Sequence, residues 1–332
     1  MKHRVTMAVK FLVPVAILAW LSWTEWDAIS RMASRPKDWR LLVVSLAALL
    51  SAVLLTFGRW YLLVRALEIP FTVRDALRLG FLGYLFNFVG PSSVGGDLIK
   101  AYFVAKDHRE HRGEVIATIL LDRCLGMFSL IVVATIALQV ADRDRIETLG
   151  QLSNGVTLLC AVGAAGIVTL LLPRSFTDWL FDPLSRLRFV GPFIKRVRLA
   201  LALYRSRWHW LLAILVLSIA AHALVAVTIH CADRAVHPTT PTLSEHFVIS
   251  PLAMVATAAP VPGGLGTYEF AMNYLYEKLP SRTIEEGQGF SVAVLYRLLT
   301  IAIAAIGVAY YWLNRSEISQ AVSAIETEHS DR

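Results

Sequence analysis

Six stretches of the chain are apolar over their full length, at about residues 5–23, 40–58, 115–140, 153–172, 208–230 and 288–313. Each is long enough to cross a hydrocarbon core of about 30 Å as a helix rising about 1.5 Å per residue. Two more stretches, at about 76–104 and 246–279, are equally apolar but interrupted in the middle. The interruptions read Gly90-Pro91-Ser92-Ser93-Val94-Gly95-Gly96-Asp97 and Pro260-Val261-Pro262-Gly263-Gly264-Leu265-Gly266. Proline removes a backbone donor and clashes with the preceding turn, and clustered glycines weaken the helix further. Each stretch therefore predicts a re-entrant helical hairpin or a discontinuous helix. Non-helical backbone at membrane depth is tolerated only where protein or a polar cavity covers it.

The two broken stretches resemble each other. Sliding the sequence by 171 residues places Pro91 on Pro262, Val94 on Leu265 and Gly95 on Gly266. Further on, Leu121-Asp122-Arg123 falls opposite Leu295-Tyr296-Arg297 at an offset of 174. Both halves read as a broken apolar hairpin, a short polar link, and a spanning helix with an Arg in its first half. The expectation is an all-α polytopic membrane protein with about six full transmembrane helices and two broken hairpins, arranged as two inverted repeats. It forms one integral membrane domain over residues 1–332. Repeat 1 covers about 72–140, a basic linker about 173–207, repeat 2 about 243–313, and a polar tail 314–332.

Composition agrees with this class. Of 332 residues, 56% are apolar and 17% charged, whereas a soluble domain carries about 25% charged residues. That excludes a disordered chain, a collagen-like fibre and a typical cytosolic enzyme. The net charge of +7 bears on topology before it bears on anionic lipid, and gives no reason to invoke nucleic acid. Eight basic residues between Pro173 and Arg207 face only Asp178 and Asp182, which places this segment in the cytoplasm; its stretch 184–207 also suits a basic amphipathic helix on that leaflet. The links 141–147 and 231–245 each sum to −1, which suits the outside. With the first helix uncleaved and both termini cytoplasmic, one hairpin enters from each side of the membrane.

Several residues carry candidate chemistry. Arg123 and Arg297 lie about 12–13 Å into their predicted helices, where an Arg is costly unless paired or hydrated. Their guanidinium forks suit a phosphate or carboxylate. They equally suit an internal carboxylate, a freed carbonyl or snorkelling to the interface. Half-helices that begin after Gly95, Gly96, Gly263, Gly264 and Gly266 present free N–H groups and a positive dipole end to an anionic group. The same glycines also suit tight packing. Lys100, one turn past Gly96, adds charge. Asp97 and Glu269 follow the two breaks and are candidates for pairing with the arginines or relaying protons, or for simply stabilising a helix N-terminus. Asn87 and Tyr268 are lesser candidates for the same cavity. Asp122 is no partner for Arg123, because neighbours on a helix do not face each other.

Other motifs are weak. His222, His230, Cys231 and His237 have no standard metal spacing, and the three cysteines Cys124, Cys160 and Cys231 lie far apart. No phosphate-binding loop or hydrolase signature occurs, so no ATP site, cofactor or metal is expected.

The segments VGGDLIKAYFV (94–104), LDRCLGM (121–127), PGGLGTYEFAM (262–272) and LYRLL (295–299) resemble the lysylphosphatidylglycerol synthase transmembrane-region family, also called flippase-like. The resemblance covers nearly the whole chain. Two features depart from its pattern: Pro-Ser-Ser-Val stands where a basic residue often precedes the valine, and Tyr296 stands where an acidic residue is common. In bifunctional relatives a soluble aminoacyltransferase domain follows this region. Here the sequence ends at Arg332 after a short polar tail, so synthase activity is expected to be absent. What the resemblance implies is a bacterial or archaeal inner-membrane protein that moves an anionic or modified phospholipid, or an isoprenoid lipid, between leaflets, and is not an enzyme. Its expected partners are the lipid itself and either a second copy or a lipid-modifying enzyme. Two other classes stay open: a membrane-embedded enzyme of lipid or glycan assembly, and a non-catalytic partner of a synthase.

Overall fold

The computed structural model describes residues 19–20, 22–89, 95–107, 109–140, 147–171, 182, 185–186, 191, 202–258 and 264–313. Ten α-helices lie among them: α1 (Trp26–Ser34), α2 (Trp39–Ala66), α3 (Val73–Val89), α4 (Gly95–Asp107), α5 (Arg112–Val140), α6 (Glu147–Leu171), α7 (Trp208–Val236), α8 (Leu243–Val255), α9 (Thr267–Lys278) and α10 (Gln288–Leu313). Four segments are long and apolar enough to cross a membrane: α2, α5, Ala202–Val236 and α10. The protein is an all-helical, multi-pass membrane protein.

Its surface is that of a protein solvated by lipid. At most 39% of any spanning window is buried within the bundle, and Val43, Met127, Leu158, Val216 and Ile301 point outwards. Such a continuous apolar exterior would aggregate in water. Exposed tryptophans mark both ends of the bundle, with Trp26 and Trp39 at one and Trp208 and Trp312 at the other. That is where amphipathic rings settle between hydrocarbon and water.

Contacts at the helix ends fix the layout. The Asp38 N–H donates to the Ala235 carbonyl at 2.9 Å, and Arg35 meets Glu285 at 2.9 Å. The start of α2, the end of α7 and the approach to α10 therefore share one end. At the other, the Tyr204 hydroxyl donates to the Leu63 carbonyl at 2.7 Å, and Arg207 binds Glu68 and the Ala66 carbonyl. The pair α3–α4 opens towards this second end, because α3 begins soon after α2 finishes and α4 runs into α5 through a short 3-10 turn. The pair α8–α9 opens towards the first end, between the finish of α7 and the start of α10.

Packing crosses over between the halves. α3 lies against α10, α8 lies against α5, and α2 lies along α7. At the first of these seams the Phe81 ring stacks on Tyr310 with centroids 5.9 Å apart. Gly307 lets α10 approach so closely that a Cβ there would sit 2.5 Å from the Phe81 carbonyl. One apolar cluster draws Leu49, Phe57, Phe81, Leu138, Met272 and Ile303 together from both halves.

The helices outrun the apolar windows. The window at 40–58 stops before Arg59, yet α2 continues to Ala66 because the Arg59 charge is neutralised inside the bundle. α7 likewise passes His230 to Val236. This corrects the reading of 231–245 as a link. Asp233 is fully buried and counts for nothing in loop charge, so orientation rests on the basic segment 173–207. Most of that segment, the first apolar run up to residue 18, and the tail 314–332 lie outside the described residues. The short amphipathic α1 went unread in the sequence, hidden between two apolar runs.

The tightest seam inside the first broken hairpin is at Gly96, where a Cβ would meet the Gly83 carbonyl at 2.0 Å. We predict that Gly96→Ala costs about 1–3 kcal/mol of stability through overpacking. Gly113→Ala, with open space around it, should cost nothing. Thermal unfolding of the purified protein in detergent checks both.

Candidate functional site

Each broken hairpin ends in a half-helix whose first turn carries an acidic residue. Asp97 is the third residue of α4 and Glu269 the third residue of α9. Both turn to the long helix that follows. The Arg123 Nε donates to Asp97 Oδ2 at 2.5 Å. The Arg297 Nε and Nη2 donate to Glu269 Oε1 at 3.0 and 2.7 Å. The two pairs thus stand at matched positions in the two halves. Arg297 is the tenth residue of its helix, at the expected depth. Arg123 is the twelfth of α5, because that helix starts at Arg112, and it lies about 17 Å along the axis rather than 12–13 Å.

The pairs differ in environment. The Glu269 side chain is 1% exposed and that of Arg297 16%, with the guanidinium 5.9 Å from the centre of the Tyr268 ring. The Tyr268 hydroxyl is buried and has no hydrogen-bond partner among the described residues. At the first pair Asp97 is 11% exposed and Arg123 45%. Lys100 joins them, with its Nζ 3.9 Å from Asp97 Oδ1 and 5.1 Å from the centre of the Trp60 ring. Asp97 therefore has Arg123 and Lys100 beside it at the first pair, whereas at the second a fully buried Glu269 meets a mostly buried Arg297.

The glycines act differently from the N–H cradle that the sequence suggests. The Gly96 N–H donates to Asn87 Oδ1 at 3.2 Å, and the Gly266 N–H donates to Glu269 Oε2 at 2.7 Å. These donors are taken by internal acceptors. What Gly96 supplies is close approach of α4 to α3, and what Gly264 and Gly266 supply is a backbone with φ of +63° and +79°, disfavoured for side-chain-bearing residues. Gly95 opens α4. Gly263 lies outside the described residues.

Sequence reasoning missed a third buried charge. Arg59 on α2 makes a two-pronged contact with Asp122 on α5, at 2.7 and 2.9 Å, and donates to the Ser218 hydroxyl on α7 at 3.1 Å. Asp122 and Arg123 thus meet partners on different helices, Arg59 on α2 and Asp97 on α4. Only the rarity of an Arg within an apolar run signals this in the sequence, since its partner lies far away along the chain.

Residues 7–307 match the Lysylphosphatidylglycerol synthase TM region. The chain belongs to this family. No curated protein gives a match. The match takes in both broken hairpins and all three Arg–carboxylate contacts, so these are features of this family member's membrane region.

Removing one partner from a buried pair strands the other, at about 3–5 kcal/mol, while exposed pairs are worth about 0–1 kcal/mol. Glu269→Gln should therefore lower the unfolding temperature more than Asp97→Asn. The double variant Glu269→Gln, Arg297→Gln should recover part of the loss. Equal effects from the two single variants would contradict the difference in burial.

Proposed function

We propose that this protein moves a lipid between membrane leaflets, binding its anionic or zwitterionic headgroup along the two Arg–carboxylate pairs while the acyl or isoprenoid tails stay in the bilayer. The observation that carries this reading is the matched placement of Asp97–Arg123 and Glu269–Arg297 after two broken hairpins that open towards opposite ends. Two inverted-topology repeats that meet in mid-membrane offer the same site to either side by turns. In this reading the α3–α4 opening and both termini lie on the cytoplasmic side of an inner membrane, which the basic segment 173–207 supports.

The first pair is the loading position. Arg123 is the more exposed guanidinium and has Lys100 close by, so a phosphate arriving there meets two cationic side chains. A guanidinium fork matches two phosphate oxygens, and Lys adds a point charge. The headgroup takes over the Arg123 contact that Asp97 now makes, and Lys100, 3.9 Å from Asp97 Oδ1, stays with the carboxylate it leaves. The Arg297 pair receives the headgroup as the second hairpin opens. Asn87, Gly95, Gly96, Gly264 and Gly266 shape the breaks that make room for this passage. The substrate class is an anionic or modified phospholipid or an isoprenoid lipid. The role is transport without bond-making chemistry, and transport is passive or ion-coupled.

The test uses the purified protein in vesicles that contain a fluorescent phosphatidylglycerol, with leaflet exchange read by quenching of the outer label. Wild type should exchange the label faster than protein-free vesicles. Arg123→Ala should lose about tenfold or more of that rate, equivalent to about 1.4 kcal/mol. Native mass spectrometry should find a held lipid in the wild type that is missing from the Arg123→Ala, Arg297→Ala double variant. Exchange no faster than in empty vesicles, together with an unchanged lipid spectrum, would overturn the proposal.

A further inference from the structure

A second polar cluster lies away from both breaks, at the end where α7 finishes and α8 begins. Asp233 is 0% exposed and is faced by four groups on three helices and the end of α7. Its Oδ1 accepts from His237 Nδ1 and Gln288 Nε2, both at 2.9 Å. Its Oδ2 faces the Tyr276 hydroxyl at 3.0 Å and His246 Nε2 at 3.5 Å. The Tyr276 oxygen is itself 2.9 Å from His246 Nε2. His246, Tyr276 and Asp233 therefore form a closed triangle, buried in apolar surroundings.

Counting hydrogens in that triangle gives a definite result. His246 Nδ1 lies 2.8 Å from the Thr242 carbonyl, which only accepts, so Nδ1 carries a hydrogen. In a neutral ring Nε2 is then bare. The single Tyr276 hydrogen can serve either Nε2 or Oδ2, and the other short contact is left as two lone pairs facing each other. Burial makes that costly. One additional proton removes the conflict. On Nε2 it points to the Tyr276 oxygen while Tyr276 donates to Oδ2; on Oδ2 it points to the Tyr276 oxygen while Tyr276 donates to Nε2. His237 lies on the other oxygen of Asp233: its Nδ1 donates to Oδ1, and its Nε2 faces, at 3.2 Å, the Ser291 hydroxyl that donates to the Gln288 carbonyl at 2.8 Å.

The remaining charged groups on the surrounding elements are engaged elsewhere. Glu245 accepts from the Ser281 and Thr242 N–H groups, and Glu285 is held by Arg35 and Arg31 of α1. Glu25 and Glu277 both accept from Asn273 Nδ2. Arg234 is exposed. His230 Nδ1 faces His246 Nδ1 at 3.3 Å and, with that nitrogen already protonated, is an acceptor.

We propose that Asp233, His246 and Tyr276 form a proton-binding site that clamps both arms of the second hairpin, α8 and α9, to α7. The bound proton satisfies the contact among the three helices, and its release leaves like lone pairs opposed in a dry site and loosens the base of the hairpin. Under the transport reading above, on which this one clause rests, proton coupling belongs here, since Asp97 and Glu269 already have arginine counter-ions.

The experiment follows the protein alone and involves no lipid movement, so its failure is distinct from failure of the transport reading. Full-length wild type and Asp233→Asn are reconstituted in lipid nanodiscs and melted between about pH 6 and about pH 9, a range that passes well above the ordinary imidazole value of about 6.5. Stability contributed by a held proton is present while it is bound and lost as pH rises through its release. The wild-type melting temperature should fall by several degrees across the range. Asp233→Asn should stay flat, because an amide brings its own hydrogen to the triangle. Matching pH profiles for the two proteins would overturn the proposal. Should Asp233→Asn fail to accumulate, nitrogen-15 histidine spectra and carboxyl infrared bands of the wild type decide, with His246 assigned by His246→Gln. An imidazolium at His246 or a protonated buried carboxyl at about pH 7.5, where a free imidazole is mostly neutral, supports the site. A neutral ring beside an ionised carboxylate sinks it.

Discussion

A charge held away from water is affordable only beside its opposite, and this bundle is assembled around that requirement. Arg59 meets Asp122, Arg123 meets Asp97, and Arg297 meets Glu269. Each contact joins a long helix to a different element, so satisfying the charges also specifies which helices become neighbours. Apolar packing alone is a poor guide inside a membrane, because lipid tails offer the same environment as another Leu-rich face. Paired charges and small-residue seams such as Gly96 on Gly83 and Gly307 on Phe81 supply the selectivity that greasy surfaces lack.

The two hairpins illustrate how a broken helix is made tolerable. A break exposes backbone donors and acceptors at a depth where water is scarce. In the first half the Asn87 side chain takes up the Gly96 N–H, and in the second the Glu269 carboxylate takes up the Gly266 N–H. The same Glu269 also neutralises Arg297 through its other oxygen. One carboxylate therefore caps a half-helix and balances a charge, which accounts for its deep burial. Asp97 leaves the capping to Asn87 and has two cations nearby, and its arginine is the more exposed of the two.

Much of this was readable in the residues. The sequence marks interruptions at Gly90-Pro91 and Pro260-Val261-Pro262, where proline and clustered glycine disfavour helix by local sterics; residues 90–94 and 259–263 lie outside the described residues, and separate helices flank them on either side. The pairing of Asp97 with Arg123 and of Glu269 with Arg297 was among the readings available, since the spacing from break to long helix repeats. Three features were not readable. Helix ends ran past the apolar windows because Arg59 finds its counter-ion, and Asp233 several of its hydrogen-bond donors, far along the chain, and a window sees only its own neighbours. The role of the glycine N–H groups depended on where the Asn87 and Glu269 side chains turn. The His246–Tyr276–Asp233 triangle draws on three separate helices, and nothing in the linear spacing of these residues marks them as neighbours.

The contact between Arg59 and Asp122 bears on how the protein is made. Asp122 is 63 residues further along the chain than Arg59. At a synthesis rate of about 5–20 residues per second, roughly 3–13 s separate their emergence from the ribosome. During that interval α2 is in or near the membrane with an unmatched guanidinium. Arg59 lies in the last two turns of α2, close to its Ala66 end, from which a long side chain extends to the headgroups. Arrival of α5 then draws it inward. The order of the helices along the chain thus includes a waiting step, in which one helix holds its charge at the membrane surface until its counterpart is built.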